Sequence, residues 1–334
     1  MIPCARYGTA IIGTGHHVPA RVLTNENLTA LVDTSDEWII TRTGVRERRI
    51  AQNDENSGTL ALEASRRALA SAGLEATDLD QIIVCTISPE VVLPTTACLL
   101  QDRLGVSHKH IPALDLGAAC TGFVYGLQTA QALMQLGQIE HLLLVGVDCL
   151  SRLTDYTDRS TCILFGDGAG AMVLKRTDDP TRGILHTRIH ADGGKAHLIH
   201  VPAQVGQTAF TPPAFPTRGC YINMDGHKVF KLAVSRMFDL VEKTLAECDL
   251  RPEQIDLLVP HQANRRIIDS LADRLNLRED QVYVNIDRFG NTSAASIPMA
   301  YDECRREGRV KPNDVVLMVG FGAGLTWGSA VLRA

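Results

Sequence analysis

Ala68-Leu69-Ala70-Ser71-Ala72-Gly73-Leu74-Glu75-Ala76-Thr77-Asp78-Leu79-Asp80-Gln81-Ile82-Ile83-Val84 carries apolar residues at helical spacing, then a short polar turn, then an unbroken apolar run. That order reads as an amphipathic helix leading into a buried strand, the later half of a parallel crossover unit. It returns 176 residues further on, without a gap, as Thr244-Leu245-Ala246, Leu250, Ile255-Asp256 and Leu258-Val259. A second echo pairs Leu136-Gly137 through Leu143-Leu144-Val145-Gly146 with Glu307-Gly308 through Leu317-Met318-Val319-Gly320, once three extra residues are allowed in the later turn. Two echoes in one order predict a duplicated α/β chain, with halves at 1–177 and 178–334.

The duplication also says where chemistry should gather. Ligands of α/β sheets collect outside the carboxyl ends of the strands. The 176-residue offset sets His261 opposite Cys85 at such an end, and the 171-residue offset before the inserted turn sets Asn291 opposite Cys120. Cys120 follows the strand-like Leu114-Asp115-Leu116-Gly117-Ala118-Ala119 and opens a helical pattern at Thr121-Gly122-Phe123. A thiol at the first turn of a helix meets unpaired backbone N–H groups and the positive end of the dipole, which favours thiolate. His261 ends the apolar run Leu257-Leu258-Val259-Pro260, and Asn291 lies in Gly290-Asn291-Thr292-Ser293. Two facing halves would bring all three to one crevice.

Composition narrows the class. The chain has 334 residues, 45% of them hydrophobic, and a formal net charge of −5, ample for a large core and no invitation to nucleic acid. No uncharged apolar run is long enough to span a membrane. The nine cysteines are scattered, with no C-x-x-C pair and no metal-ligand spacing, so eight read as packing or surface thiols and no metal is expected. Together with a first strand that starts near residue 9, this predicts a cytoplasmic protein.

Seven motifs in order resemble the β-ketoacyl-acyl-carrier-protein synthase III family of the thiolase superfamily, nearly end to end. They are Asp33 through Gly44, Ala118-Ala119-Cys120-Thr121-Gly122-Phe123, Thr157-Asp158-Arg159, Phe165 through Gly170, Val259-Pro260-His261-Gln262-Ala263-Asn264, Gly290 through Ala294, and Thr326 through Ala330. The resemblance implies a thiolase-like five-layered α/β/α/β/α fold and a homodimer. It implies decarboxylative Claisen condensation of an acyl-coenzyme A with malonyl-acyl carrier protein, starting fatty acid synthesis without a cofactor. Cys120 would carry the acyl group, and His261 and Asn291 would hydrogen-bond the enolate left by decarboxylation. The oxyanion hole would be the backbone N–H groups of Cys120 and Ala323, the latter where the family commonly has glycine.

By the same resemblance, coenzyme A would be held by Trp38, Arg42, Arg159, Phe230, Ala263 and Asn264, with His227 standing where the family more often has Asn. Acyl carrier protein, an acidic partner, would dock on Arg266, Arg265 and Lys231, near Lys228 and Arg236. Leu93 would gate the acyl pocket of the neighbouring subunit and, not being aromatic, admit a longer or branched primer. The proline-rich 207–217 segment is expected to cap the site. Rival readings are a thioester hydrolase using Cys120 with a His base, an acyl transfer or condensation in a specialised pathway, and a catalytically silent partner subunit.

Overall fold

The computed structural model describes residues 6–202 and 220–334. Up to residue 177 the chain forms β1 (Gly8–His17), β2 (Val22–Thr24), α1 (Asn25–Thr29), α2 (Asp36–Thr43), β3 (Glu47–Arg49) and α3 (Ser57–Ala72). It continues with β4 (Gln81–Cys85), α4 (Thr96–Arg103), β5 (Ala113–Leu116), α5 (Gly122–Met134), β6 (His141–Cys149) and β7 (Asp167–Thr177). Beyond that lie β8 (Gly183–Ala191), β9 (Ile199–His200), β10 (Asn223–Met224), α6 (Gly226–Glu247), β11 (Leu257–Pro260) and α7 (Arg265–Arg274). The chain closes with α8 (Ile286–Phe289), α9 (Ser296–Arg306), β12 (Val315–Gly322) and β13 (Thr326–Arg333). The proline-rich 207–217 segment lies outside the described residues.

The strand order is β5-β4-β6-β7-β1 on one side and β11-β12-β13-β8 on the other, joined where Thr9 of β1 pairs with Gly183 of β8. Pairing senses repeat as well. β4 runs parallel to β6, as β11 does to β12, and the next two pairings are antiparallel in both sheets. Where β5 flanks β4, a single parallel bridge from Val282 flanks Leu258 of β11. Both helix-to-strand echoes in the sequence are therefore equivalent elements of two like sheets.

Alternation along the central strands makes the layers. Leu142 and Leu144 of β6 pack with α5, α9 and inner residues of the second sheet, including Leu257, Val259, Val316 and Met318. Their neighbours Leu143, Val145 and Val147 face the opposite way, onto α3 and α4. In β12 the residues Val315, Leu317 and Val319 turn outward onto α6 and α7. The result is helix, sheet, helix pair, sheet, helix, with α5 and α9 buried between the sheets. α5 and α9 also carry at their N-terminal ends the segments around Cys120 and Asn291.

Outside the layers, the arm carrying α2 is fastened by a fully buried cation. Arg48 donates from Nη1 to Leu23 O (3.1 Å) and from Nη2 to Ile163 O (2.8 Å), and both nitrogens reach Asn25 Oδ1. Burial lowers its guanidinium to about 10, still charged at neutral pH. Asn25 in turn donates to Asp36 Oδ1 at 2.8 Å, at the start of α2. Ser35 caps that helix by accepting the Trp38 N–H, and Gly44 ends it at φ +82°, a conformation that favours glycine.

Candidate active site

Between β5 and α5 the chain makes a sharp turn in which Ala119 takes φ +47°. A left-handed non-glycine residue costs about 1–2 kcal/mol, and here neighbouring strands hold it in place. Thr326 Oγ1 lies 3.2 Å from Ala118 O and 2.9 Å from Ala323 O, so one hydroxyl of β13 ties the turn before Cys120 to the loop after β12. Thr121 Oγ1 donates back to Thr326 O at 3.1 Å. Gly322 passes so close that a Cβ there would lie 2.9 Å from Cys120 N and 3.0 Å from its Cβ. Ala323 is not among the residues with positive φ, so the side chain at the usual glycine position adds no backbone strain.

Cys120, His261 and Asn291 all line one cavity of about 500 Å³. It continues outward past Phe230, Lys231, Ala263, Asn264, Arg266 and His227 to Trp38 and Arg42. Among the described cysteines only Cys120 lines it. Among the described residues no group of three or more His, Cys, Asp or Glu is placed to hold a metal ion.

His261 is 2% exposed, at the end of β11. Its Nδ1 lies 2.6 Å from Ser296 Oγ, at the first residue of α9. That oxygen also accepts the Gln262 N–H at 3.4 Å; when the hydroxyl proton is given to Nδ1, the proton of the neutral imidazole sits on Nε2. Nε2 is buried without a protein partner, in a residue that lines the cavity. Burial pulls this imidazole down to about 3, so it is neutral at physiological pH. Asn291 is oriented by a similar logic. Its Oδ1 accepts the Ser293 N–H at 2.9 Å, so the amide NH₂ remains to donate.

The thiol departs from the sequence expectation. Burial pushes Cys120 up to about 12, outweighing the favourable helix terminus, so at rest it is a protonated thiol. A helix start can be read from sequence, whereas the closing of two sheets over the sulfur cannot.

At the outer end, the guanidinium of Arg159 stands over the Trp38 ring at 4.6 Å and that of Arg42 at 5.6 Å. Asn264 caps α7 through Oδ1, which accepts the Arg266 N–H, and its Nδ2 donates to Arg42 O at 3.0 Å. Its amide is thus committed to clasping α7 to α2. Arg266 lies 5.3 Å over Phe230 and is exposed, as is Lys231. Arg265 is exposed too but off the cavity, paired with Asp269 at 2.6 Å. Lys228 pairs with Asp225, and Arg236 lies over Trp327. Leu93 is not brought to the cavity. It is 80% exposed beside Val92 at 74%, on a loop anchored by Arg103 to Glu90 at 2.7 Å.

Sequence reasoning missed two groups here: Ser296, which contacts His261 Nδ1, and Thr326, which braces the Cys120 turn. The string Asn291-Thr292-Ser293-Ala294-Ala295-Ser296 held a signal, because small polar residues beside an apolar helix start need internal partners when buried.

Residues 114–193 match the family model described as 3-oxoacyl-[acyl-carrier-protein] synthase III, and residues 245–334 match its C-terminal counterpart. A beta-ketoacyl-[acyl-carrier-protein] synthase III of Alkalilimnicola ehrlichii is 49% identical over 97% of this chain and 98% of its own. The crystal structure of 3-oxoacyl-[acyl-carrier-protein] synthase III from Aquifex aeolicus superposes with a TM-score of 0.91 at 45% identity, covering 98% of this chain and 100% of that one. The priming β-ketosynthase of the R1128 polyketide pathway superposes at 0.89 with 34% identity, covering 100% of this chain and 98% of that one.

Proposed function

This chain belongs to the β-ketoacyl-[acyl-carrier-protein] synthase III family, and from that premise we propose how its residues divide the work of the reaction. The enzyme is an acyltransferase that condenses an acyl primer with malonyl-acyl carrier protein in fatty acid biosynthesis. Cys120 takes the acyl group from acyl-coenzyme A, with the N–H groups of Cys120 and Ala323 receiving the oxyanion of the tetrahedral intermediate. After coenzyme A leaves, the malonyl thioester carbonyl accepts hydrogen bonds from His261 Nε2 and the Asn291 amide. These hold the enolate as carbon dioxide departs, and its carbon attacks acyl-Cys120.

The observation that carries this reading is a neutral His261, its Nδ1 on Ser296 and its Nε2 unpartnered, lining the same cavity as an Asn whose Oδ1 is taken and whose NH₂ is left to donate. Two fixed donors suit an enolate, and each is worth roughly 3–4 kcal/mol in comparable sites. A hydrolase would need His261 as a base oriented by Asn291. Instead Nδ1 is held by Ser296, and Asn291 is held by Ser293. The chemistry so assigned requires no metal or cofactor.

Coenzyme A enters along the cavity, its adenine meeting Trp38 and Arg159 and its phosphates Arg42, with Phe230, Ala263 and Asn264 as walls. Because Arg159 rests on Trp38, the guanidinium must swing aside to admit a ring. Arg266, Lys231 and Arg265 receive the acidic carrier protein. The protein is a cytoplasmic homodimer in which the exposed Val92 and Leu93 are covered by the partner and close its acyl pocket. The halves divide between 177 and 178. No described helix is long and apolar enough to cross a membrane.

A panel of acyl-coenzyme A thioesters of increasing length tests the reading by intact mass. The expected result is an adduct on Cys120 that malonyl-acyl carrier protein converts to a β-ketoacyl product, the best primer being named by rate. An adduct that only hydrolyses overturns the condensing role.

A further inference from the structure

The two sheets join at the end far from Cys120. β13 begins at Thr326, beside the Cys120 turn, and closes at Arg333, about 24 Å further on at a rise of about 3.4 Å per residue. There Arg333 pairs with Gly183 of β8, Gly183 with Thr9 of β1, and Thr9 with Arg176 of β7, one row across four adjacent strands. The row needs glycine at 183, where φ is +76° and a Cβ would collide with Thr9 O. A cavity of about 630 Å³ opens at this row, lined in part by Ile11, Leu332 and Tyr301 of α9. It shares no lining residue with the cavity that holds Cys120.

Cations crowd its wall, with Lys175, Arg176, Arg182 and Arg333 all lining it. Arg176 commits Nη1 to Gly137 O and to Ile139 O, the latter at 3.3 Å, and lies 5.0 Å over the Tyr7 ring. The half-buried Arg333 and the exposed Arg182 are uncommitted. Among the described residues neither guanidinium makes a hydrogen bond or a close ion pair. The carboxylates on the same wall are those of Glu140, 3.9 Å from Lys175, of the exposed Asp178 and of the final residue, Ala334, so cations outnumber them. Tyr301 is only 3% exposed, and among the described residues its hydroxyl has no hydrogen-bond partner. A merely solvated basic face needs neither a volume of this size nor a buried hydroxyl left unpaired, which is costly until something completes it.

We propose that this cavity is a second binding site, for a small anion carrying two or more phosphoryl groups. Guanidinium forks match phosphate oxygens in pairs, which favours phosphate over other anions. The backbones of Arg333 and Arg176 stand three strand spacings apart, about 14 Å at about 4.8 Å each, a span that suits several phosphoryl groups better than one. The volume is that of a site for a small molecule rather than for a lone ion. Burial pushes the Tyr301 hydroxyl up to about 12, so it stays protonated and donates to a phosphate oxygen. The chain's formal charge of −5 offers such an anion no general attraction, so its binding is local to this cluster. The site stands whatever the roles of Cys120, His261 and Asn291.

The test is calorimetric titration of the full chain with sodium tripolyphosphate, ATP and citrate, at low salt and without divalent cations. Expected is one-to-one binding of tripolyphosphate, weakened at least tenfold in Arg333→Ala and in Arg182→Ala and about fivefold in Tyr301→Phe. Arg42→Ala, in the Cys120 cavity, should leave that affinity unchanged, and both surface arginine variants should keep parental condensing activity. ATP bound more tightly than tripolyphosphate assigns the site to a nucleotide; tripolyphosphate bound as tightly or more assigns it to a free polyphosphate, and either supports the proposal. Should Arg333→Ala fail to fold, Arg182→Ala alone decides. No binding of either phosphate probe, binding untouched by the arginine variants, binding lost in Arg42→Ala, or citrate held as tightly as tripolyphosphate overturns it.

Discussion

At His261 one serine governs a tautomer. Removing Ser296 Oγ leaves Nδ1 without its partner and lets the imidazole proton distribute over both nitrogens. A buried partner lost in this way costs about 1–3 kcal/mol. Ser296→Ala should therefore slow malonyl decarboxylation roughly five- to 150-fold, with Cys120 acylation nearly unchanged; a parallel loss in acylation would show general disruption instead. His261→Ala and Asn291→Ala should each lower decarboxylation about 100- to 1,000-fold while mass spectrometry still finds the acyl adduct. The depressed His261 also leaves a mark on stability. Because its folded pKa, about 3, lies below the ordinary 6.5, the unfolded chain binds the extra proton between those values. Stability from this group is complete above about pH 6.5 and falls by about 1.4 kcal/mol per pH unit on acidification toward 3. Denaturant unfolding at pH 7 and pH 5 should show a smaller acid loss in His261→Gln than in the parent.

At the level of elements, neighbouring glycine positions differ sharply. Alanine already occupies 323 without strain, whereas at 322 a Cβ would press on the Cys120 backbone at 2.9 Å. Gly322→Ala should shift the nucleophile and lower kcat about 100-fold, the scale of a 1 Å misplacement; an unchanged kcat would mean that the loop yields freely. Gly44 plays the same part between α2 and α7. It holds φ +82°, and an added Cβ would lie 2.4 Å from Arg265 Cβ. The Asn264 bond to Arg42 O and the capped ends of α2 and α7 all depend on that close approach.

Across the whole molecule, the sheets share α5 and α9 as one core, so the meeting of Cys120, His261 and Asn291 at one cavity is set by packing over long sequence distances. The exposed Val92 and Leu93 form an apolar tip that a partner subunit would cover. Leu93→Asp should move the protein toward monomer in sedimentation experiments and reduce acylation by longer primers; a monomeric parent would end the dimer reading. At the rim of the cavity, Arg266→Glu should raise the KM for malonyl-acyl carrier protein and flatten its salt dependence while leaving primer acylation unchanged.

The duplicated helix-to-strand pattern, with apolar periods written twice at one offset, was enough by itself to define two like α/β units and to point to Cys120, His261 and Asn291 at their ends. Periodicity is local information, and burial of alternating faces follows from it directly. What only the tertiary structure decided was the state of those groups: a protonated Cys120, a neutral His261 oriented by Ser296, and Asn264 spent on a clasp. Each depends on desolvation or on a partner distant in sequence, such as Thr326 against Ala118 across 208 residues.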